Sequence, residues 1–449
     1  MNRKRIGKMV IVLFLLAALP VMTAVMAQGQ EPAGKVSSLA PDVEKSETQV
    51  NPTIWESESN NTMGLADVID FDNIYGAELY PENEGDFYKF YAIHGTAIIV
   101  NTDANLDGKT TDTIITLYDA NGNQIGYNDD MGDNDGEYDS LIYRVLTSGW
   151  YYVKVTVYPD TGCSPNCDYE LMVYSPLLIS AAAAKLPTNA NVEGIAFRSE
   201  DILAFAQFAG GQHKWLMFLD GSDVGFTKPL NNLSTSWAGI SNCCGGLAVS
   251  FGANLNLVEF DGTPVTVKPW DWVDFNMTRI GPNTQIDPID YHSGALHGLT
   301  TTAEKLDAID MWTENNNTGW WDAQLYFSTT GAASVPKGGG GTLKTADEDL
   351  FRSEIQYGWS SWWNSMEFDG SPLQGMGVED VFAADYVMSA DVIYLTILGN
   401  GNIMGHPVTQ KDIFSIYWNN TWNTWNGLNW HGPDWGWNYN IDAFDWPGS

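Results

Sequence analysis

The chain has 449 residues, with 56 Asp and Glu against 21 Lys and Arg and a net charge of −35. That balance excludes nucleic acid as a partner, because phosphate binding needs clustered Lys and Arg, and it favours divalent cations or simple solubility by self-repulsion. With 44 Gly, 13% aromatic and only 17% charged residues, the composition is that of an exported β protein with many turns, long enough for two domains.

Residues 1–27 read as a secretory signal peptide. Arg3, Lys4, Arg5 and Lys8 precede an apolar run from Met9 to Leu19 that is too short for a comfortable membrane span. Val25-Met26-Ala27 puts small residues where signal peptidase reads, which predicts cleavage after Ala27. No later stretch approaches the ~18 apolar residues of a spanning helix. The mature protein is therefore expected outside the cell or on its surface, with no membrane span. Residues 28–54 are polar, rich in Ser, Glu, Gln and Pro, and are expected to form a disordered linker.

From Trp55 the character changes. Phe87–Tyr91, Thr113–Tyr118, Ser140–Val145, Tyr151–Val157 and Tyr169–Tyr174 are short aromatic and β-branched runs, separated by turn residues such as Asp119-Ala-Asn-Gly122. They predict a β-sandwich over 55–175. Cys163 and Cys167 bracket Ser-Pro-Asn and are expected to close a small disulfide loop in an oxidising compartment. The adjacent Cys243 and Cys244 are compatible with a vicinal disulfide or with buried thiols, and neither pair lies near a His at zinc-ligand spacing.

The order of segments in this region carries a resemblance. Glu56-Ser-Glu58-Ser-Asn60-Asn61 is followed by Tyr75-Gly-Ala-Glu-Leu and Gly85-Asp86-Phe-Tyr88-Lys-Phe. Next come Asp112-Thr-Ile-Ile-Thr-Leu-Tyr118-Asp119-Ala-Asn-Gly122, then Asn128-Asp129-Asp130 and Ser148-Gly149-Trp-Tyr-Tyr-Val-Lys-Val. The series resembles the bacterial pre-peptidase C-terminal domain, the family that includes the collagen-binding domains of clostridial collagenases. The resemblance implies a jelly-roll-like accessory sandwich, often calcium-binding, without catalysis. It also implies a ligand set of Glu56, Glu58, Asn60, Asn61 and Asp86, with Glu84 standing where a second Asp is common. Calcium takes about six to eight oxygens, which an acidic and amide segment folded back on a strand-end Asp can supply; the competing reading is a solvated acidic lead-in. Asp103-Ala-Asn105-Leu-Asp107-Gly108 begins like an EF-hand loop, but Ile114 occupies the twelfth position, so a polar hairpin turn is expected there.

Residues 176–449 contain a degenerate repeat. Glu200-Asp201-Ile-Leu, Glu348-Asp349-Leu-Phe and Lys411-Asp412-Ile-Phe recur, with a weaker copy at Trp270-Asp271-Trp272-Val273, taken here with Trp272 as its marker. Asp220-Gly-Ser-Asp-Val-Gly225 and Asp369-Gly-Ser-Pro-Leu373 follow, with decayed forms at Tyr291–Gly298 and His431–Gly436. Turn capping by Asp and positive φ at Gly explain the recurrence; calcium between these loops is the functional rival. Each unit supplies four short strands, which predicts a four-bladed β-propeller rather than two stacked sandwiches. Ile441–Asp445 is the strand that the first unit lacks, so the chain end is expected to close the ring. The Asp220–Gly225 motif is similar to repeats in secreted bacterial proteins of unassigned activity.

Trp422, Trp425, Trp430, Trp435 and Trp437 lie among Asn and Gly, and are candidates for stacking on sugar rings as well as for filling the core. Nucleophile elbows, zinc-protease motifs and phosphate loops are missing from the sequence. The leading reading is a secreted, non-catalytic binding or surface-display protein for an extracellular polymer or protein. The alternatives are a propeller glycoside hydrolase or polysaccharide lyase using paired carboxylates, and a structural cell-envelope protein.

Overall fold

The computed structural model describes residues 51–446 apart from 82–83, 94, 105–109, 131–138, 160–162, 165–166, 237–245, 260, 316–320, 338–339, 355–362, 378, 388–390 and 420–421. The expected signal peptide and most of the expected linker lie outside the described residues, as do Asn105, Asp107, Cys243 and Cys244. Among the described residues there are strands, turns and short 3-10 segments but no α-helix. No helix is long and apolar enough to cross a membrane among them.

The front region is two five-stranded sheets. One runs in the order Ile54–Trp55, Ile74–Glu78, Asp168–Tyr174, Thr96–Asp103, Leu141–Leu146, and the other Asp67–Val68, Asp86–Ala92, Gly149–Val157, Thr113–Asp119, Gln124–Asn128. Alternation places the side chains. In Asp86-Phe-Tyr-Lys-Phe-Tyr-Ala92 every second residue is buried, so Tyr88 and Phe90 join Ile98, Val100, Leu117 and Val153 between the sheets. Pairing starts before Trp55: the Thr53 N–H donates to the Ile74 carbonyl at 2.9 Å, and the Asn51 N–H donates to Gln212 Oε1 at 2.7 Å.

Four further antiparallel sheets follow. Sheet one is ordered Gln212–Leu219, Ile202–Phe208, Leu177–Ala181, Ile441–Asp445. Sheet two runs Leu230–Ser236, Gly246–Phe251, Trp272–Arg279, with Gln285–Ile286 and Asp290–His292 sharing its outer edge. Sheet three is Leu306–Asn315, Trp321–Thr329, Leu350–Glu354, Trp363–Phe368, and sheet four is Val381–Val387, Val392–Ile397, Asp412–Asn419, Trp422–His431. In every sheet a small hairpin is inserted between the second and third strands; Asn400–Ile403 with His406–Thr409 is the copy in sheet four. The C-terminal strand Ile441–Asp445 pairs with Leu177–Ala181, bringing Phe444 opposite Ile179.

The recurrent Asp is a turn anchor. Asp201 Oδ2 accepts the Arg198 N–H at 2.7 Å while its Oδ1 reaches the turn after the fourth strand of the unit. Asp271 and Asp349 repeat both bonds, with Lys268 and Gly294 and with Ala346 and Gly370. The aligned residue in the second unit is therefore Asp271, one position before the marker Trp272. At Gly221, Gly294 and Gly370 a Cβ would stand 2.2, 1.8 and 2.4 Å from the carbonyl oxygen of the residue preceding that Asp, so only glycine fits. In the fourth unit Asp412 keeps the Thr409 N–H at 2.7 Å and turns its Oδ1 to His431.

The innermost strands of the four sheets touch in succession: Leu230–Ser236 with Leu306–Asn315, that strand with Val381–Val387, that with Ile441–Asp445, and that with Leu230–Ser236. Carboxylates cross three of these contacts. Asp445 accepts the Thr235 N–H at 2.8 Å, Asp310 the Tyr386 N–H at 3.1 Å and Asp385 the Trp446 N–H at 2.6 Å. The equivalent position in sheet two is Ser234, whose Oγ lies 3.5 Å from Asp310 Oδ1.

One apolar cluster joins the sandwich to the repeats. Ile74, Ile99, Leu141 and Met172 from the first front sheet pack with Phe208, Leu216 and Phe218. Tyr143 stands edge-on to Phe218 with centroids 4.8 Å apart, and Tyr174 edge-on to Phe208 at 5.4 Å.

Candidate metal centre

The segment Glu56–Asn61 leaves the first front sheet and crosses to the start of the Asp86–Ala92 strand. Two backbone bonds fix it: Glu56 N–H to the Gly76 carbonyl at 3.1 Å, and Phe87 N–H to the Asn60 carbonyl at 3.0 Å. Glu56, Glu58 and Asp86 thereby bring carboxylate oxygens within 4.8 Å of one another. Glu58 is exposed and Glu56 half-buried, whereas Asn60 and Asp86 are both 0% exposed.

The remaining hydrogen bonds decide which atoms are spare. Glu56 Oε1 accepts the Glu78 N–H at 2.6 Å, and its Oε2 accepts from Tyr88 Oη at 2.7 Å and Asn60 Nδ2 at 3.1 Å. Asp86 Oδ2 accepts from Tyr169 Oη at 2.7 Å. Asp86 Oδ1 and the amide oxygens of Asn60 and Asn61 are buried with no hydrogen-bond partner. A buried oxygen with no donor costs about 1–3 kcal/mol, and the two amide oxygens with the carboxylates of Glu56, Glu58 and Asp86 form a donor set suited to a hard cation. Glu84 is drawn aside from this set. Its oxygens accept from the Tyr80 N–H and from Asn61 Nδ2, so it orients Asn61.

Burial and charge repulsion both favour protonation of these carboxyls. Burial first, then the charge on Glu56, pushes the Asp86 carboxyl up to about 8. Burial, with the charges of Glu56, Glu84 and Asp67, also raises Glu58. The hydroxyls give the same result by counting hydrogens. Asp86, Tyr169, Tyr88 and Glu56 form a chain of three 2.7 Å O···O contacts. Two hydroxyls supply two hydrogens, since each tyrosine donates once. The third contact is a hydrogen bond only when one of the carboxyls carries a proton.

The Asp-x-Tyr spacing puts Asp86 and Tyr88 on one face of a strand, so Tyr88 was within reach of sequence reasoning. Tyr169 comes from the other sheet, 83 residues away from Asp86, and nothing local in the sequence marks it.

The tryptophans divide. Trp430 and Trp437 are 4% and 0% exposed, packed with Phe205 and Trp215, which corrects the expectation that they stack on sugars. Large rings at these positions fill the space between sheets one and four. Trp425 and Trp435 are half-buried, against His406 and Phe414 and against Phe205 and His213 respectively. The side chain of Trp422 lies outside the described residues. Cys167 is buried, and the side chain of Cys163 lies outside the described residues.

No curated protein matches the chain. Among solved structures, the pre-peptidase C-terminal domain of a collagenase from Bacillus anthracis is 18% identical over 24% of this chain and 93% of that one, with a TM-score of 0.20. The BSP domain of a biofilm associated protein is 12% identical over 70% of this chain and 68% of that one, with a TM-score of 0.12. At these TM-scores neither superposition carries an argument. The strands Asp86–Ala92, Thr113–Asp119 and Gly149–Val157, with the acidic cluster at their edge, lie in or beside the segment that identifies the sandwich: residues 84–156 match the bacterial pre-peptidase C-terminal domain family.

Proposed function

We propose that this is an exported, non-catalytic binding or surface-display protein with a calcium-stabilised accessory sandwich. The observation that carries the calcium reading is the cluster of carboxylates on Glu56, Glu58 and Asp86, in which Asp86 Oδ1 is buried without a partner, as are the amide oxygens of Asn60 and Asn61. Calcium binding here ties the lead-in segment to the sandwich edge. Export rests on the signal peptide read at 1–27, and an oxidising compartment lets Cys163 pair with Cys167.

In the same reading the four repeat sheets are blades of a four-bladed propeller, closed by the strand Ile441–Asp445, and their inserted hairpins present loops to an extracellular polymer or protein. The succession of contacts between innermost strands supports closure. The use of the central carboxylates supports a non-catalytic role. Asp310, Asp385 and Asp445 are buried and accept backbone N–H groups from neighbouring sheets. Asp307, beside Asp380, is fully buried and closed to substrate. A glycan and matrix-protein array probed with residues 28–449, with calcium and with chelator, tests the display reading. Specific binding supports it, and hydrolysis or eliminative cleavage of an arrayed polymer contradicts it.

A further inference from the structure

On the side of sheets one and four that carries the inserted hairpins lies a cavity of about 280 Å³, lined in part by Lys185, Leu186, Lys411, Asn438, Tyr439 and Asn440. Three chain segments build it and hydrogen bonds fix them. Leu186 N–H closes a turn on the Ala183 carbonyl at 3.2 Å, and Ala182 N–H donates to the Asn440 carbonyl at 2.9 Å. Asn440 Nδ2 donates to Gln410 Oε1 at 2.9 Å. The Tyr439 hydroxyl is held by the backbone of Asn191 on both sides, at 3.0 Å each. Lys185 sits in the left-handed region at φ 73°, so the turn itself sets where its side chain starts.

The charge of this cavity is opposite to that of the molecule. The chain has only 21 basic residues against 56 acidic ones, and some of the other cations are paired, as in Lys214 with Asp103 and Arg198 with Glu200. Lys185 and Lys411 form no ion pair among the described residues, yet both line the same cavity. Two ammonium groups without counterions, in a field that repels anions elsewhere, mark where a carboxylate gains most. The rest of the lining supplies what a polyhydroxylated ring needs. Asn438 and Asn440 offer amide groups, while Leu186 and the half-buried Tyr439 ring offer apolar surface to C–H faces.

We propose that this cavity is a binding site for one acidic sugar residue of the uronate class, the carboxylate between Lys185 and Lys411 and the ring against Tyr439. The proposal deepens the display reading and rests on it, since it names the polymer chemistry that the repeat domain selects. The test is ligand titration followed by NMR on the full mature chain, using glucuronate, galacturonate, glucose, acetate and sulfate. The expected result is saturable binding of a uronate at least about tenfold tighter than glucose, acetate or sulfate. Lys185→Gln with Lys411→Gln should lose that preference at an unchanged melting temperature, and either single variant should weaken it partially. Equal binding of sulfate, acetate or glucose, or undiminished uronate binding by the double variant, overturns the proposal. If the double variant still captures an arrayed polymer as wild type does, display stands and this site falls. If wild type captures no polymer but binds uronate through both lysines, the site stands and display falls.

Discussion

The Oδ1 atom of Asp201 accepts the N–H of Gly221 at 2.9 Å, joining the start of one strand to the turn that leaves the same sheet. Because Asp271–Gly294 and Asp349–Gly370 repeat it, the repeat in the sequence is the trace of a latch. Its chemistry explains the conserved pairing of types within this one chain: a short carboxylate that can accept two N–H groups, and a glycine pressed against a carbonyl.

The latch predicts a specific pattern of damage. Asp349→Ala leaves the Ala346 and Gly370 N–H groups without acceptors and should cost about 2–3 kcal/mol in denaturant unfolding. Gly370→Ala should cost at least as much, because its Cβ would meet the Glu348 carbonyl. A loss below about 0.5 kcal/mol for Asp349→Ala, the range of ordinary surface changes, would show that the latch is incidental.

Removing residues 438–449 deletes the strand that pairs with Leu177–Ala181 and the Asp445 bond to Thr235. It also uncovers two rows of backbone donors and acceptors. Against a whole-domain stability of about 5–15 kcal/mol, the truncated chain should aggregate or melt far lower. A melting temperature within a degree or two of the parent, read by calorimetry, would count against a closed ring.

Trp437 is fully buried, in parallel contact with Trp215 and Phe197 at centroid distances of 5.6 and 5.2 Å. Trp437→Ala should therefore destabilise by about 3–5 kcal/mol. Chemical denaturation measures it, and a change near zero would mean that the ring is not core.

Much of the architecture was legible because it depends on local pattern. Alternation in Asp86–Ala92 and the Asp-Gly turns determine strand and turn positions, and Ile441–Asp445 could be matched to its place by the strand missing at Leu177. The division of the tryptophans was not legible, since Trp430 and Trp437 are buried by sheet one, which is far away in sequence. In the candidate metal centre, Glu56, Glu58 and Asp86 could be grouped from the family pattern. The Tyr88–Tyr169 bridge and the turning away of Glu84 depend on how the two front sheets face each other. The lysine cavity depends on three segments joined only by the fold.

The Asp86 carboxyl gives a pH dependence with a definite sign. Its folded value, about 8, lies above the ordinary aspartate value of about 4, so the folded state holds the proton more tightly between those limits. Its contribution to stability is present below about pH 4 and is lost as pH rises through about 8. Metal-free wild type should accordingly lose more melting temperature than Asp86→Asn on going from about pH 5 to about pH 8. Millimolar calcium should reduce that difference, because it binds the ionised form. Parallel pH profiles for the two chains without metal would contradict the assignment.

Isothermal titration of calcium into metal-free residues 28–449 tests the proposed calcium centre most directly. One saturable site is predicted, with proton release that grows as the buffer pH falls below about 8, and with loss of the heat in Glu56→Gln with Asp86→Asn while the fold is retained. No saturable binding at millimolar calcium, or undiminished binding by that double variant, would contradict it.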